Sequence, residues 1–308
     1  MLLTRPAVLL FLSSSRLYTS TAIRMSSTAL SASPPAFSSI PLPSVPSLDT
    51  TWYLNPPDPL PSPTATQPPN SSPFPINSLS CGEGTHAPPS VDGLASYLAS
   101  LNLTSSSQIQ LYQSPKGLAL YRSYYLLKHV FKHTGEITIL QTPYPPPPPS
   151  PLPSYSPYTT LGAPLPLPPT WGPLVTKSYV KSILSSSSHL ILDARPYPRF
   201  TAEVKETRPG CKSGHIKGSK SLPFPLLCSP DLTSLLSPSS LRPILQSRGV
   251  SLTDPTQKII LTCGSGVTAC YIAVALEVCG VEQGRIAVYE GSWAEWGTSG
   301  EEVVEGPE

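Results

Sequence analysis

Lys258-Ile-Ile-Leu-Thr-Cys-Gly-Ser-Gly-Val-Thr-Ala269 is the stretch on which the fold turns. Ile259, Ile260 and Leu261 form a short apolar run of the kind a central parallel strand carries, and the apolar residues from Val267 to Val278 fall at helical spacing. Cys263 therefore lies in the turn between a strand and a helix. Gly264 and Gly266 let that turn curl so that successive backbone N–H groups face a common centre, and the following helix adds its partial positive charge there. A thiol held at that point should titrate below the ~8.5 of a free cysteine, which supplies thiolate near neutral pH and makes Cys263 the candidate nucleophile. Most single cysteines are simply small buried hydrophobes. Strand, cysteine, glycine-rich turn and helix in series argue for the reactive reading.

A cysteine phosphatase would need an arginine where this chain has Ala269, so phosphate chemistry is disfavoured. Instead, Cys263-Gly-Ser-Gly-Val-Thr-Ala269 resembles the active-site loop of 3-mercaptopyruvate sulfurtransferases, members of the rhodanese superfamily. Three further stretches follow the same pattern. Leu190-Ile-Leu-Asp-Ala-Arg195 resembles the first strand of a rhodanese domain, and Lys212-Ser-Gly-His-Ile-Lys-Gly-Ser219 resembles the glycine-histidine-isoleucine turn after it. Tyr289-Glu-Gly-Ser-Trp-Ala-Glu-Trp296 resembles the terminal strand and its aromatic turn. The resemblance implies an α/β fold with a doubly wound, mainly parallel sheet of five strands and helices on both faces. That fold is expected complete in the C-terminal half, with a partial, degenerate copy in the N-terminal half.

The resemblance also implies a site. Two arginines that clamp the substrate's carboxylate and keto oxygen in the family fall here on Arg199 and Arg208. A planar, permanently charged guanidinium suits a bidentate grip on a carboxylate. Cys263 and Ser265 would be catalytic, with Gly264, Gly266, Val267 and Thr268 contacting substrate along the loop. Ser265 could orient the substrate or relay a proton, or bond only its own backbone. His215 and Asp193 read as structural residues that satisfy nearby backbone groups. Thiosulfate-preferring relatives carry basic residues just after the cysteine, where this chain has Gly264 and Ser265. A neutral loop suits a donor whose carboxylate is held elsewhere, whereas the thiosulfate dianion gains from adjacent cations. The implied mechanism is double displacement through a persulfide on Cys263. No metal or organic cofactor is implied; a mobile thiol such as thioredoxin or glutathione is the implied acceptor.

Composition sets limits on the rest of the chain. Charged residues make up only 12% of the 308 residues, and the 42 prolines crowd into the first part. Sequence of this kind buries too little apolar surface to offset the cost of ordering it, and the Pro145–Pro149 run should be an extended spacer. Reading along the chain places a degenerate rhodanese-like unit at 40–142 with a Pro/Ser-rich insertion, a proline-rich linker at 143–172 and the catalytic domain at 173–304. Within the first unit, Val91–Leu101 and Ala119–Phe131 read as helices, and Gln108–Tyr112 and Glu136–Leu140 as strands. The turn Gln113-Ser-Pro-Lys-Gly117 has no cysteine, so this unit forms no persulfide. Val45–Pro57 resembles the family's first strand and turn, but a second glycine-histidine-isoleucine turn is missing.

A net charge of +2 with no basic stripe gives no footprint for nucleic acid, and no apolar run is long enough to span a bilayer. Arg5, Arg16 and Arg24, abundant Ser and Thr, and no acidic residue before Asp49 read as a mitochondrial transit peptide over 1–24. The short apolar core Ala7–Leu12 makes a secretory signal the alternative, and Met25 offers a second start that would give a cytosolic form. The six cysteines show no paired zinc-type spacing, as suits a reducing compartment. Two functions of different class follow: a sulfurtransferase using 3-mercaptopyruvate, with thiosulfate as the alternative donor, or a non-catalytic rhodanese-like module that senses persulfide or binds a partner.

Overall fold

Ten strands in the described part of the chain sort into two five-stranded sheets, with the inner strands Ile109–Tyr112, Ile137–Leu140, His189–Asp193, Lys258–Thr262 and Ile286–Tyr289 built on short apolar runs. The computed structural model describes residues 34–52, 70–74, 88–142 and 169–308, together with Pro68, Tyr144 and Leu167. The expected leader over 1–24, Met25, most of the 143–172 linker, and Cys81 and His86 in the insertion lie outside the described residues.

The first sheet holds β1 (Ala36–Ser38), β2 (Ser47–Asp49), β3 (Ser71–Pro73), β4 (Ile109–Tyr112) and β5 (Ile137–Leu140), in the order β1-β5-β4-β2-β3. The second holds β6 (Leu174–Val175), β7 (His189–Asp193), β8 (Ser219–Ser221), β9 (Lys258–Thr262) and β10 (Ile286–Tyr289), in the order β6-β10-β9-β7-β8. Every pairing is parallel, so the two sheets have one topology in which each strand has a counterpart. The 190–195 stretch is thus the second strand of its sheet, not the first: the two-residue β6 precedes it and is too short to carry a periodicity. Likewise β2, within the 45–57 stretch, follows β1.

Helices join the strands as βα crossovers. α1 (Val91–Ser100) is capped by Ser90, whose side chain accepts from the Gly93 N–H at 3.0 Å. α2 (Leu120–Tyr125) runs on into a π-helical turn over Leu126–Val130. The second unit adds α3 (Lys177–Ile183), α4 (Tyr197–Phe200), α5 (Pro238–Ser247), α6 (Ala269–Val278) and α7 (Ser292–Trp296). Along β7 and β9 the side chains alternate. Leu190, Leu192, Ile259 and Leu261 face the core that includes α6, while Ile191 and Ile260 face Val180, Ile183, Trp293 and Trp296 of α3 and α7.

Among the described residues, the first unit matches the second strand for strand but carries fewer helices. Where α3 joins β6 to β7, the chain between β1 and β2 is only the loop 39–46. Buried Gln110 on β4 fastens that loop: its Oε1 accepts from Leu42 N–H at 2.7 Å, and its Nε2 donates to the carbonyls of Leu42 and Val45 at 3.0 Å each. One amide side chain thereby satisfies backbone groups that a helix would have paired internally.

The two units share one apolar core because α2 packs on α6. Residues Ala269 to Glu277 of α6 are all buried, as a helix enclosed between two sheets requires. Tyr121 and Tyr271 meet edge to face with ring centroids 4.5 Å apart, a geometry worth about 0.5–1.5 kcal/mol beyond burial. Polar groups cross the same junction. His129 Nε2 lies 2.7 Å from Glu277 Oε1, and the Tyr271 hydroxyl donates to the Gly117 carbonyl at 3.2 Å.

Candidate active site

Cys263 directly follows β9, the central strand of the second sheet, and the loop it opens runs into α6. Three contacts clamp this loop onto the start of α7. The Cys263 N–H donates to Ser292 Oγ at 3.3 Å, and the carbonyls of Cys263 and Gly264 accept from the N–H groups of Trp293 and Ala294 at 3.0 and 2.9 Å. Gly266 sits at φ +78°, and a β-carbon there would lie 3.1 Å from the Glu290 carbonyl oxygen, so only glycine turns the loop at this point. From Gly264 to Thr268, no backbone N–H donates to a protein atom among the described residues. Those donors remain available to an anion at the loop's centre.

The loop closes one side of a cavity of about 140 Å³. Cys263, 1% exposed, forms its floor, with Ser265, Val267 and Thr268 beside it. Arg195 and Arg199 line the second wall, and Trp52 and Leu118 bring in the first unit. The site therefore lies between the two units. Ser265 lines it without a hydrogen bond from its hydroxyl to the loop backbone among the described residues.

Of the two candidate arginines, only Arg199 reaches the cavity; Arg208 is exposed and does not line it. Arg199 is also differently engaged than its sequence suggested. Its Nε donates to Glu206 Oε1 at 3.1 Å and its Nη2 to Oε1 and Oε2 at 2.9 and 2.7 Å, so the bidentate edge of the guanidinium is already held by a carboxylate of the chain. Glu206 also accepts from Arg195 Nη1 at 3.2 Å. Arg195, 1% exposed, pairs through Nε and Nη2 with Asp193, donates to the Gly214 carbonyl at 2.7 Å and lies over the Trp293 ring at 4.2 Å. Burial alone would lower its pKa, but the charges and hydrogen bonds of Asp193 and Glu206 outweigh it and raise the pKa.

Asp193 and His215 occupy structural places. Asp193 accepts from the Arg195 backbone N–H at 2.9 Å; the His215 ring stacks on Phe200 at 3.8 Å, with Nδ1 3.0 Å from the Phe200 carbonyl oxygen. The four other described cysteines have thiols that ionise less readily than a free one. Burial pushes the thiols of Cys211, Cys228, Cys270 and Cys279 up, that of Cys270 to about 12.

Trp52, Leu118, Arg195 and Glu206 are not legible as site residues from local sequence, nor is Arg122, which lies against the loop at Gly266. Arg122 did carry a signal: a cation inside the run Leu118-Ala-Leu-Tyr-Arg-Ser-Tyr-Tyr-Leu-Leu127 requires a buried partner, here Glu290.

Two parallel α/β sheets of one topology, with a cysteine-bearing loop at their junction, define a rhodanese-like protein. A rhodanese-like domain profile matches residues 176–299. The 3-mercaptopyruvate sulfurtransferase of Escherichia coli K12 is 42% identical over 115 residues, 37% of this chain and 38% of the relative, so that match spans well under half the relative's length. The 3-mercaptopyruvate sulfurtransferase of Rattus norvegicus is 30% identical over 216 residues, covering 68% of this chain and 69% of the relative. Among solved structures, Tum1 of Saccharomyces cerevisiae shares the fold with a TM-score of 0.66 and 22% identity, over 90% of this chain and 99% of that one. The chain belongs to the 3-mercaptopyruvate sulfurtransferase family.

Proposed function

We propose that the protein is a sulfurtransferase that takes sulfur from 3-mercaptopyruvate onto Cys263 and hands it to a thiol or to cyanide. The observation that carries this reading is the seat of Cys263 in a cavity that Arg199 also lines, beside backbone N–H groups with no protein acceptor among the described residues.

The Cys263 thiolate attacks the donor sulfur, an S–S bond forms and the C–S bond breaks with its electron pair on carbon. The resulting pyruvate enolate takes up the thiol proton and leaves as pyruvate; in this reading Ser265, which lines the cavity, passes that proton. The N–H groups of the loop balance the charge on the outer sulfur of the persulfide. An acceptor thiolate then attacks that sulfur, the persulfide bond breaks and the Cys263 thiolate is regenerated. Cys263, Ser265, Gly264, Gly266, Val267 and Thr268 supply the loop chemistry, and Arg199 holds the carboxylate. Arg208, at the surface, would reach a bound donor only if the loop 201–210 moved inward.

In this reading 173–304 is the catalytic domain, 143–172 a linker, and the first unit, which begins with β1 ahead of residue 40 and runs to 142, completes the cavity through Trp52 and Leu118. Thioredoxin or glutathione is the acceptor. The basic, acid-free N-terminus and the mitochondrial naming of a related Arabidopsis thaliana sulfurtransferase support a mitochondrial site of action.

Intact mass after incubation with 3-mercaptopyruvate tests the proposal. The wild-type protein gains one sulfur atom, loses it to cyanide and releases pyruvate, while Cys263→Ser does none of these. Equal pyruvate release by both proteins would refute it.

A further inference from the structure

We infer that Glu206 sets the choice of sulfur donor by cancelling charge at the cavity, so that the site takes a monoanionic donor in preference to a dianionic one. The inference rests on the sulfur-transfer reading and names a residue that acts through Arg199 rather than on the substrate itself.

Two cations line the cavity, Arg195 and Arg199. Two carboxylates stand directly behind them, Asp193 at 0% and Glu206 at 4% side-chain exposure. The four charges sum to zero. Asp193 is committed to Arg195, whereas Glu206 is shared, with one oxygen between both arginines and the other on Arg199. Its position is fixed by more than charge, because its backbone N–H donates to Ser213 Oγ at 3.0 Å. Glu206 therefore cannot rotate away without giving up several hydrogen bonds.

An entering anion meets an arginine whose forked edge is occupied, leaving Nη1 and the outer side of Nη2. One carboxylate oxygen can be accommodated there. A compact dianion gains no second net charge to offset its own and is repelled by Glu206 twice as strongly as a monoanion. Buried charges interact through a low effective dielectric, so a difference of one charge matters. Replacing Glu206 by glutamine keeps an acceptor oxygen for Arg199 and leaves the cluster with a net positive charge. Both donors then bind better, and the dianion gains more.

The test compares kcat/KM for thiosulfate and 3-mercaptopyruvate, with cyanide as acceptor, in wild type, Glu206→Gln and Glu206→Asp. Glu206→Gln should raise the thiosulfate to mercaptopyruvate ratio about tenfold, chiefly through the KM for thiosulfate. Glu206→Asp, which keeps the charge, should stay near the wild-type ratio. An unchanged ratio in active Glu206→Gln, or the same rise in Glu206→Asp, overturns the inference. A second measurement needs no variant: protection of wild-type Cys263 from iodoacetamide by pyruvate or by sulfate. Pyruvate should protect at the lower concentration, and equal or better protection by sulfate overturns the inference even if the glutamine variant fails to fold. Wild-type protein inert with both donors would defeat the sulfur-transfer reading instead, while the protection assay still decides the role of Glu206.

Discussion

Arg122 Nη2 lies 2.6 Å from Glu290 Oε1, and this buried pair ties α2 of the first unit to the segment beneath the Cys263 loop. The backbone of Glu290 is itself the close neighbour of Gly266. The first unit therefore bears on loop geometry through a pair that does not itself line the cavity.

Arg122→Met should destabilise the protein by about 3–5 kcal/mol, because it strands the Glu290 carboxylate in a site from which water is largely excluded. The urea midpoint reports this. The double variant Arg122→Met/Glu290→Met should regain much of the loss, since no unpaired charge is then left buried.

Gly266→Ala forces an L side chain into φ +78° and sets its β-carbon 3.1 Å from a carbonyl oxygen. A loss of roughly 1–2 kcal/mol is expected from the backbone alone. Displacement of the loop should slow persulfide formation more than about tenfold, read by single-turnover mass spectrometry.

Gly264→Lys should fold normally, because a β-carbon there meets nothing nearer than Arg199 Nη2 at 3.9 Å. The added cation faces the cavity and should shift the donor preference toward thiosulfate by about tenfold. Steady-state assays with both donors check the shift.

Asp49 should make stability depend on pH in a sense opposite to most carboxylates. Its burial, only partly offset by hydrogen bonds from Thr51, raises its pKa from 3.8 to about 6. The folded state then binds more protons than the unfolded state across that interval, so stability is fullest below about pH 4 and falls as pH rises through 6. Relative to Asp49→Asn, the wild type should lose on the order of 2–3 kcal/mol between these limits, measured by urea unfolding at several pH values.

The second sheet is legible because its central strands are apolar on both faces and end in marked turns, as at Thr262 before Cys263 and Asp193 before Ala194. The helices α1 and α6 were legible from their spacing, and the Cys263 loop from its glycines. The strand β1 was not, because Ala36–Ser38 lies in Pro- and Ser-rich sequence where three extended residues leave no pattern. The π-helical turn after α2 was read simply as more helix, since periodicity does not distinguish the two over five residues. Glu206 carries no local signal of its place beside the arginines. Which cation a carboxylate faces is decided by the course of the loop 201–210, and spacing along the chain does not contain that course.

Because the sheets share a topology, Gln113 after β4 holds the place that Cys263 holds after β9. Its amide reaches into the other unit, donating to the Leu232 carbonyl at 2.8 Å and to the Tyr271 hydroxyl at 3.1 Å, while its oxygen accepts from Leu120 N–H. A position that in one half carries the proposed nucleophile carries a fastener in the other. A cysteine placed there should not make a second site of sulfur transfer, since it would face the Leu232 carbonyl and the Tyr271 hydroxyl of the seam and not an open cavity. The two halves share a plan, but its second use is closed off by the joint that holds them together.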